Sequence, residues 1–324
     1  MRYFEFAVAS NFSFLRGASH PEELMVQAAH AGLAGLGLCD RNSVAGVVRA
    51  HLAKREQNLA LRYHPGARLV FADGTPDILA YPRHRAGWGR LTRLLTLGNL
   101  RAKKGDCTLY LDDLLAHIFG LDLIAMGGDA GLLRRLREAA PDRVHLAASM
   151  LYRGRDRTRL ARIKEIAREA QVPLIAVNDV LYHHPDRRPL ADVLTCIREK
   201  IAIDRAGRKL AANAERYLKP PQEMLRLFRD TPEAIEETAA LSEVLSFSLD
   251  ELRYEYPDEI VPPGETATSW LRKLVERGLA QRYGQNPALL SGDSAFRCAT
   301  VPAHVRALVV EDRVRRARDD TPEL

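Results

Sequence analysis

The stretch YFEFAVASNFSFLRGASHPEELMVQAAHAGLAGLGLCD (3–40) decides the fold class. Its ends, Tyr3–Ala9 and Leu33–Cys39, are near-continuous apolar runs, as expected of strands covered on both faces. Between them, PEELMVQAAHAG reads as a helix. Ser19, Pro21 and Glu22 supply an N-cap, a first-turn proline and a capping box, and Gly32 supplies a stop. Strand, helix and strand within so short a span make the unit of a parallel sheet.

The same alternation continues outward. Further apolar runs fall at Ala67–Phe71, Asp77–Tyr81, Leu121–Met126, Val144–Ala148 and Pro173–Val177. Helical patterns lie between them: VAGVVRAHLAKRE with Ser43 as cap, Trp88–Leu97, DAGLLRRLREAA (129–140) and RTRLARIKEIAREAQ. The last places Leu160, Ile163, Ile166 and Ala167 on one face. Seven strands alternating with helices predict an α/β fold, a distorted or incomplete (β/α) barrel, with a doubly wound open sheet as the alternative. No GxGxxG turn follows the first strand, which removes the main support for a dinucleotide-binding sheet. After Asp179 the pattern turns helical up to about Leu249. Tyr254–Gly264 (YEYPDEIVPPG) reads as a linker, SWLRKLVERGLAQRYG as a helix, and no period is legible beyond about Pro287.

Composition bounds the class. At 324 residues, with 46% hydrophobic and 28% charged residues, the chain suits a folded core and excludes both a disulfide-stapled mini-protein and a disordered chain. The 48 Lys+Arg against 42 Asp+Glu permit nucleic-acid contact without demanding it, and 6% aromatic residues are few for a surface working mainly by base stacking. Cys39, Cys107, Cys196 and Cys298 show no short spacing, so neither a CxxC zinc knuckle nor a disulfide framework is expected. No apolar run reaches the ~20 residues of a membrane span. The N-terminus does not read as a signal peptide. A soluble, cytoplasmic protein without membrane partners is expected.

Candidate site residues lie where barrel enzymes place them, at the C-terminal ends of strands. They are Asn11 and Ser13 after the first strand, Asp40, Arg41 and Asn42 after the second, and Asp179 with His183, His184 and Asp186 after the last. Asp40 alone reads as a cap or loop anchor. The His183–Asp186 cluster reads as a solvated loop, since adjacent histidines seldom reach one metal. His20, His30, His51 and His64 have no carboxylate at useful sequence spacing and read as surface or half-buried residues. Arg83–Lys104 (RHRAGWGRLTRLLTLGNLRAKK) holds seven cations, Arg83, Arg85, Arg90, Arg93, Arg101, Lys103 and Lys104, and no acid. It reads as a nucleic-acid contact or as a basic amphipathic helix turning Leu91, Leu94, Leu95 and Leu97 to the barrel.

Seven blocks together resemble the N-terminal part of the error-prone bacterial DNA polymerases of the polymerase III alpha-subunit class. They are SNFSFLRGASHPEEL (10–24), LCDRNSVAGVVRAH (38–51), GARLVFADG (66–74), PLIAVNDVLYH (173–183), RRPLADVLTCIREK (187–200), NAERYLKPPQEMLRLF (213–228) and FSLDELRYEYPDEIVPPG (247–264). The resemblance implies a polymerase-and-histidinol-phosphatase (PHP) domain, a distorted seven-stranded barrel, over residues 1–250 with trailing helices. Residues 251–287 would be a linker and the start of the polymerase region, truncated before the palm. Residues 288–324 would be a non-family tail, disordered or frameshifted. The family activity is DNA synthesis in damage-induced mutagenesis and translesion repair, with Mg²⁺ in full-length members, DNA as partner, and other mutagenesis and replication proteins alongside. The resemblance also implies PHP metal ligands, and this sequence departs from them. Ala7 and Ala9 stand for the opening His-x-His, Arg41 for the histidine after Asp40, Arg68 for a glutamate, and Leu181 for the histidine after Asp179. Asp40 and Asp179 are the remnants. No metal, cofactor or catalytic residue is therefore expected for this chain, which reads as an inactive structural or DNA-associating module. A free-standing metal-dependent PHP phosphoesterase is the alternative.

Overall fold

Each of the seven apolar runs becomes a strand of one sheet: β1 (Phe4–Val8), β2 (Gly35–Arg41), β3 (Arg62–Leu69), β4 (Ile78–Pro82), β5 (Leu121–Ala125), β6 (Val144–Ala148) and β7 (Leu174–Ala176). The structure, a computed structural model, describes residues 2–253 and 261–283. Spatial order follows chain order from β1 to β7. β1, β2 and β3 run parallel, as do β5, β6 and β7, while β4 is antiparallel to both β3 and β5. The reversal has a local cause: the connection 70–77 is too short for the dozen residues a parallel crossover needs. The sheet closes on itself just past β7. Val180 N–H donates to the Ala7 carbonyl (2.7 Å) and Ala9 N–H to the Val180 carbonyl (3.0 Å). The result is a nearly closed seven-stranded barrel of mixed sheet.

Around it lie α1 (Pro21–His30), α2 (Val47–Glu56), α3 (Arg85–Arg101), α4 (Leu111–His117), α5 (Ala130–Ala139), α6 (Asp156–Ala170), α7 (Arg188–Glu199), α8 (Pro221–Leu227) and α9 (Glu233–Val244). The chain divides into two units, Met1–Arg253 and Tyr254–Leu324. The described part of the second unit contains α10 (Ala267–Tyr283), on which Leu271 and Leu274 are exposed and Arg277 lies 5.8 Å over the Trp270 ring. The expected tail 288–324 lies outside the described residues, as do 254–260 of the expected linker. Among the described residues no helix is long and apolar enough to cross a membrane.

Helix boundaries follow the local signals with some shifts. The residue before α1 is His20 rather than Ser19, and its N–H donates to Glu23, not Glu22, at 2.8 Å. Ser19 is drawn away by His183, whose N–H donates to its hydroxyl. Ser43 accepts from Ala45 N–H one turn before α2 begins, and so orders the approach to the helix rather than capping it. Asp129 caps α5 as its sequence suggests, accepting from Leu132 N–H at 2.9 Å. On α3, Leu91, Leu94 and Leu95 are buried. Leu97 is only half-buried, and Gly98 takes the core position one residue on.

The barrel interior is filled by aromatic rings set against glycines. Phe4, Phe6, Cys39, Leu79, Tyr81, Ile124, Ile175 and Val177 form its core, with Leu241 and Leu245 of α9 packed against them. α9 lies over the N-terminal mouth, where Thr238 Oγ1 accepts from Phe4 N–H at 3.2 Å and Ser242 Oγ sits 2.9 Å from His64 Nε2. His64 is thus fully buried, not a surface or half-buried residue. Its ring stacks on Phe6, and burial pushes its pKa down to about 4. The Tyr81 hydroxyl donates to the Phe6 carbonyl, and the ring runs across Gly37 and Gly66.

A Cβ at Gly37 would lie 2.7 Å from Tyr81 Oη and 2.8 Å from Phe6 Cδ1. Overpacking of that kind costs roughly 1–3 kcal/mol, more than the 0.5–1 kcal/mol a strand glycine forfeits in entropy. Gly37→Ala is expected to lower the urea midpoint. Combined with Tyr81→Phe, which removes the obstructing oxygen, the loss should be less than the sum of the two single losses. Strict additivity would contradict this packing.

Candidate functional site

At the C-terminal ends of the parallel strands, side-chain alternation decides which residues face one another. On β2, Gly37 and Cys39 face the interior, so Arg41 is the next inward position and Asp40 faces the other way. On β3, Gly66 faces inward and Arg68 follows it. Arg41 and Arg68 are register partners. The Asp40–Arg41 pair read in sequence as a unit is therefore split between two faces of the sheet.

Asp40 is buried in a cage of neutral donors. It accepts from Ser10 N–H (2.8 Å), Ser10 Oγ (2.7 Å) and Ser13 Oγ (2.6 Å). Burial raises its pKa against the pull of those hydrogen bonds. The cage has no spare volume, since a Cβ on Gly46 would lie 2.7 Å from Asp40 Oδ2. Asp40 orders the loop after β1 and does not reach Asp179.

Asp179 sits in the left-handed region at φ 48°. One carboxylate oxygen pairs with Arg68, which also lies 3.8 Å from Asp77. The other accepts from Arg216 Nη2, whose Nε donates to the Asp179 carbonyl at 2.7 Å. Burial alone would raise this carboxyl, but the charges and hydrogen bonds of Arg216 and Arg68 outweigh it and hold the pKa well below the usual carboxylate range. Arg216 lies within the block 213–228, but its partner is 37 residues away in sequence, so it was not among the candidate site residues.

A second missed residue is Glu5, fully inside β1. Its carboxylate accepts from Tyr3 Oη (2.6 Å), Ala7 N–H (2.8 Å) and Asn178 N–H (2.7 Å), stitching the first strand to the chain beyond the last. Burial outweighs those hydrogen bonds and pushes its pKa up to about 7. An acid inside an otherwise apolar run was the available signal.

The other candidates are structural. Ala7 and Ala9 are buried and use their backbones to close the barrel. Leu181 packs against the Ala18–Tyr182–Ala191 cluster. Asn42 brackets Val70 with both ends of its amide. Asn11 donates its backbone N–H to the Ser19 carbonyl. His183 Nδ1 lies 2.8 Å from Ser19 Oγ, while His184 accepts from Asp186 N–H. His51, without a carboxylate in sequence, meets Asp250 at 3.2 Å in space. The donor set does not fit a metal cluster: methyl groups, a leucine and two guanidinium groups occupy the positions, and Asp179 is already neutralised. Among the described residues no three His, Cys, Asp or Glu side chains converge as ligands.

The basic segment divides in two. Arg83 is bound bidentately to the buried Asp122 at 2.6 and 2.8 Å, and Arg101 pairs with Asp113. These two are committed to structural carboxylates. Arg85, Arg90, Arg93, Lys103 and Lys104 are exposed. Arg90 lies 5.2 Å over the Phe119 ring, and Arg90 and Arg93 with His117 line a groove of ≈ 530 Å³.

Asp179, lowered by folding, contributes stability that is present above the ordinary carboxylate pKa and is lost as pH falls below it. Asp179→Asn should cost roughly 2–4 kcal/mol at pH 7, leaving two guanidinium groups uncompensated, and the deficit should shrink toward pH 3. Equal stability at pH 7 in urea titrations would contradict the pairing. Glu5 runs the other way. Its contribution is present below 4.5 and lost as pH rises to about 7, while His64 opposes it by gaining stability from about 4 up to 6.5. The stability difference between Glu5→Gln and the parent should therefore move in the variant's favour by roughly 1–3 kcal/mol between pH 5 and 7. A difference constant across that range would show that Glu5 does not titrate there.

No family model matches the chain. It is 49% identical to an error-prone DNA polymerase of Bradyrhizobium sp. (strain ORS 278) over 339 aligned residues, 98% of this chain and 29% of that protein. It is 51% identical to one from Rhodopseudomonas palustris (strain BisB5) over 87% of this chain and 26% of that one. It is 54% identical to error-prone DNA polymerase 1 of Rhizobium meliloti (strain 1021) over 86% of this chain and 25% of that one. Among solved structures, a putative metal-dependent phosphoesterase from Bifidobacterium adolescentis covers 55% of this chain and is itself covered to 87%, at 15% identity and a TM-score of 0.42. The chain spans about a quarter of the length of the curated relatives it matches. With about half its residues shared with them along 86–98% of its length, the chain belongs to the error-prone DNA polymerases.

Proposed function

We propose that this chain acts within error-prone, damage-tolerant DNA synthesis as a barrel module that performs no metal chemistry of its own. The observation that carries the reading is its 49–54% identity to error-prone DNA polymerases over a quarter of their length. The ion-paired mouth supports the metal-free part of it. A PHP phosphoesterase needs adjacent cations that activate water and neutralise a departing phosphate. A lone carboxylate between Arg68 and Arg216 cannot hold them. The family activity, template-directed synthesis with deoxynucleoside triphosphates and Mg²⁺ during translesion repair in the cytoplasm, needs further chain beyond the barrel.

The barrel's role is then to support the polymerase body and to approach DNA through the outer face of α3. There Arg85, Arg90 and Arg93 are exposed, and the exposed Lys103 and Lys104 follow just past the end of the helix. Other mutagenesis and replication proteins are the partners this role implies.

The purified chain should not extend a primed template with deoxynucleotides and Mg²⁺. It should bind single-stranded DNA with an affinity that falls steeply with salt. Charge reversal at Arg90, Arg93, Lys103 and Lys104 together should abolish that binding. Retained binding in that variant would remove α3 as the contact, and two or more zinc or manganese ions per chain would restore the phosphoesterase reading.

A further inference from the structure

Phe119 is 58% exposed, so burial does little to explain why an aromatic ring stands there. It lies two residues before β5 opens at Leu121, at the end of the barrel opposite the mouth that holds Asp179. Its ring is tilted against His84 at 6.3 Å between centroids, and two guanidinium groups lie over it: Arg90 of α3 at 5.2 Å and Arg143 at 5.9 Å. The face of an aromatic ring attracts a cation, but two cations drawn to one ring repel each other unless an anion joins them. Among the described residues Arg85, Arg90, Arg93 and Arg143 form no ion pair, and neither does Asp142 beside Arg143. The other acids nearby are taken: Asp112 by Arg135, Asp113 by Arg101 and Asp122 by Arg83.

Arg90 also forms a wall of the groove between α3 and α4. That groove, ≈ 530 Å³, is lined by Ala86, Gly89, Arg90, Arg93, Ala116 and His117, so its cations stand around a floor of two methyl groups and a glycine. The volume falls within the range of ligand clefts, about 300–1,000 Å³. Packing does not explain the open floor. A Cβ on Gly87 would strike the Gly120 carbonyl and one on Gly98 the Cys107 sulfur, whereas one on Gly89 would meet nothing within 4 Å. Inside a helix a glycine is less stable than an alanine, and at Gly89 no internal contact offsets that loss.

We propose that this groove, with the Phe119 ring at its end, binds single-stranded DNA: one base lies against Phe119 and its flanking guanidinium groups, a neighbouring base lies over the Gly89 floor, and the phosphates meet Arg90 and Arg93. Bases offer flat, uncharged faces, and both phenylalanine and arginine stack on them. In a duplex those faces cover one another and the phosphates alone are presented, so ring and floor would go unused. An acidic peptide would satisfy the arginines and leave the ring and floor without flat partners. This assignment rests on α3 as the DNA-facing side. It narrows the partner to a single strand and adds Phe119 and Arg143, both outside 83–104, to the contact.

The test is fluorescence anisotropy of the full chain with four probes: a labelled mixed-sequence single strand, the same strand as a duplex, a strand of equal length whose sugars carry no bases, and polyglutamate. The ordinary single strand should bind more tightly than the other three. Phe119→Ala should weaken that binding about tenfold and leave its salt dependence unchanged, because a stacked base is lost and no phosphate contact is. Phe119→Trp should retain it. Gly89→Leu should fill the groove and weaken binding about tenfold as well. Both sites are exposed, so Tm should not move in any of these variants. Suppose charge reversal at Arg90, Arg93, Lys103 and Lys104 abolishes binding while Phe119→Ala and the baseless strand bind as the parent pair does. Then α3 meets DNA by charge alone: the stacking site is overturned and the reading of α3 stands. Binding that survives the charge reversal would overturn both. Polyglutamate binding as tightly as the single strand would overturn the site in favour of an acidic protein.

Discussion

The pairing of one carboxylate with two guanidinium groups governs this molecule's mouth. Asp179 lies just past the last strand, Arg68 ends the third, and Arg216 arrives from the irregular segment before α8. Their ion pairs tie three parts of the chain across the opening that the family pattern would fill with metals. Burial works against the charge on Asp179, and the two arginines overcome it. Asp77, 3.8 Å from Arg68, adds a second carboxylate to the pairing.

Four carboxylates in the same barrel show how differently one chemical group is stabilised. Asp179 has cations and stays ionised. Glu5 has three hydrogen-bond donors, which desolvation outweighs, so its pKa moves toward neutrality. Asp40 has serine hydroxyls and a backbone amide, which shape the loop after β1. Asp122, fully buried on β5, has the bidentate fork of Arg83. Of these four, Asp179 is the one that meets Arg68 and Arg216 at the mouth. The chemistry of the mouth is accordingly that of its arginines.

The strands were legible because their residues are buried on both faces, which leaves continuous apolar runs with little polar interruption. The reversal of β4 was not, since direction depends on a connection length that only matters once the neighbours are known. Ser19 looked like a cap because its spacing suits one, but the contact with His183 is 164 residues distant and takes the hydroxyl elsewhere. At the site, Arg68 and Asp179 could be placed by resemblance, and their mutual pairing follows from opposite charge. The roles of Arg216 and Glu5 were not legible, because their partners come together only as the barrel closes. Arg83 was counted with the free cations since its partner Asp122 lies on a strand 39 residues away, hidden inside the apolar run LDLIA.

Strand ends joined by ion pairs depend on different conditions from strand ends joined by a metal cluster. A metal cluster joins strand ends through bonds that a chelator breaks and salt hardly affects. Ion pairs join them through charges that protonation removes at low pH and that salt screens in proportion to exposure. Asp179 and Arg68 are mostly shielded, with side-chain exposures of 19% and 14%, so their pairing resists screening.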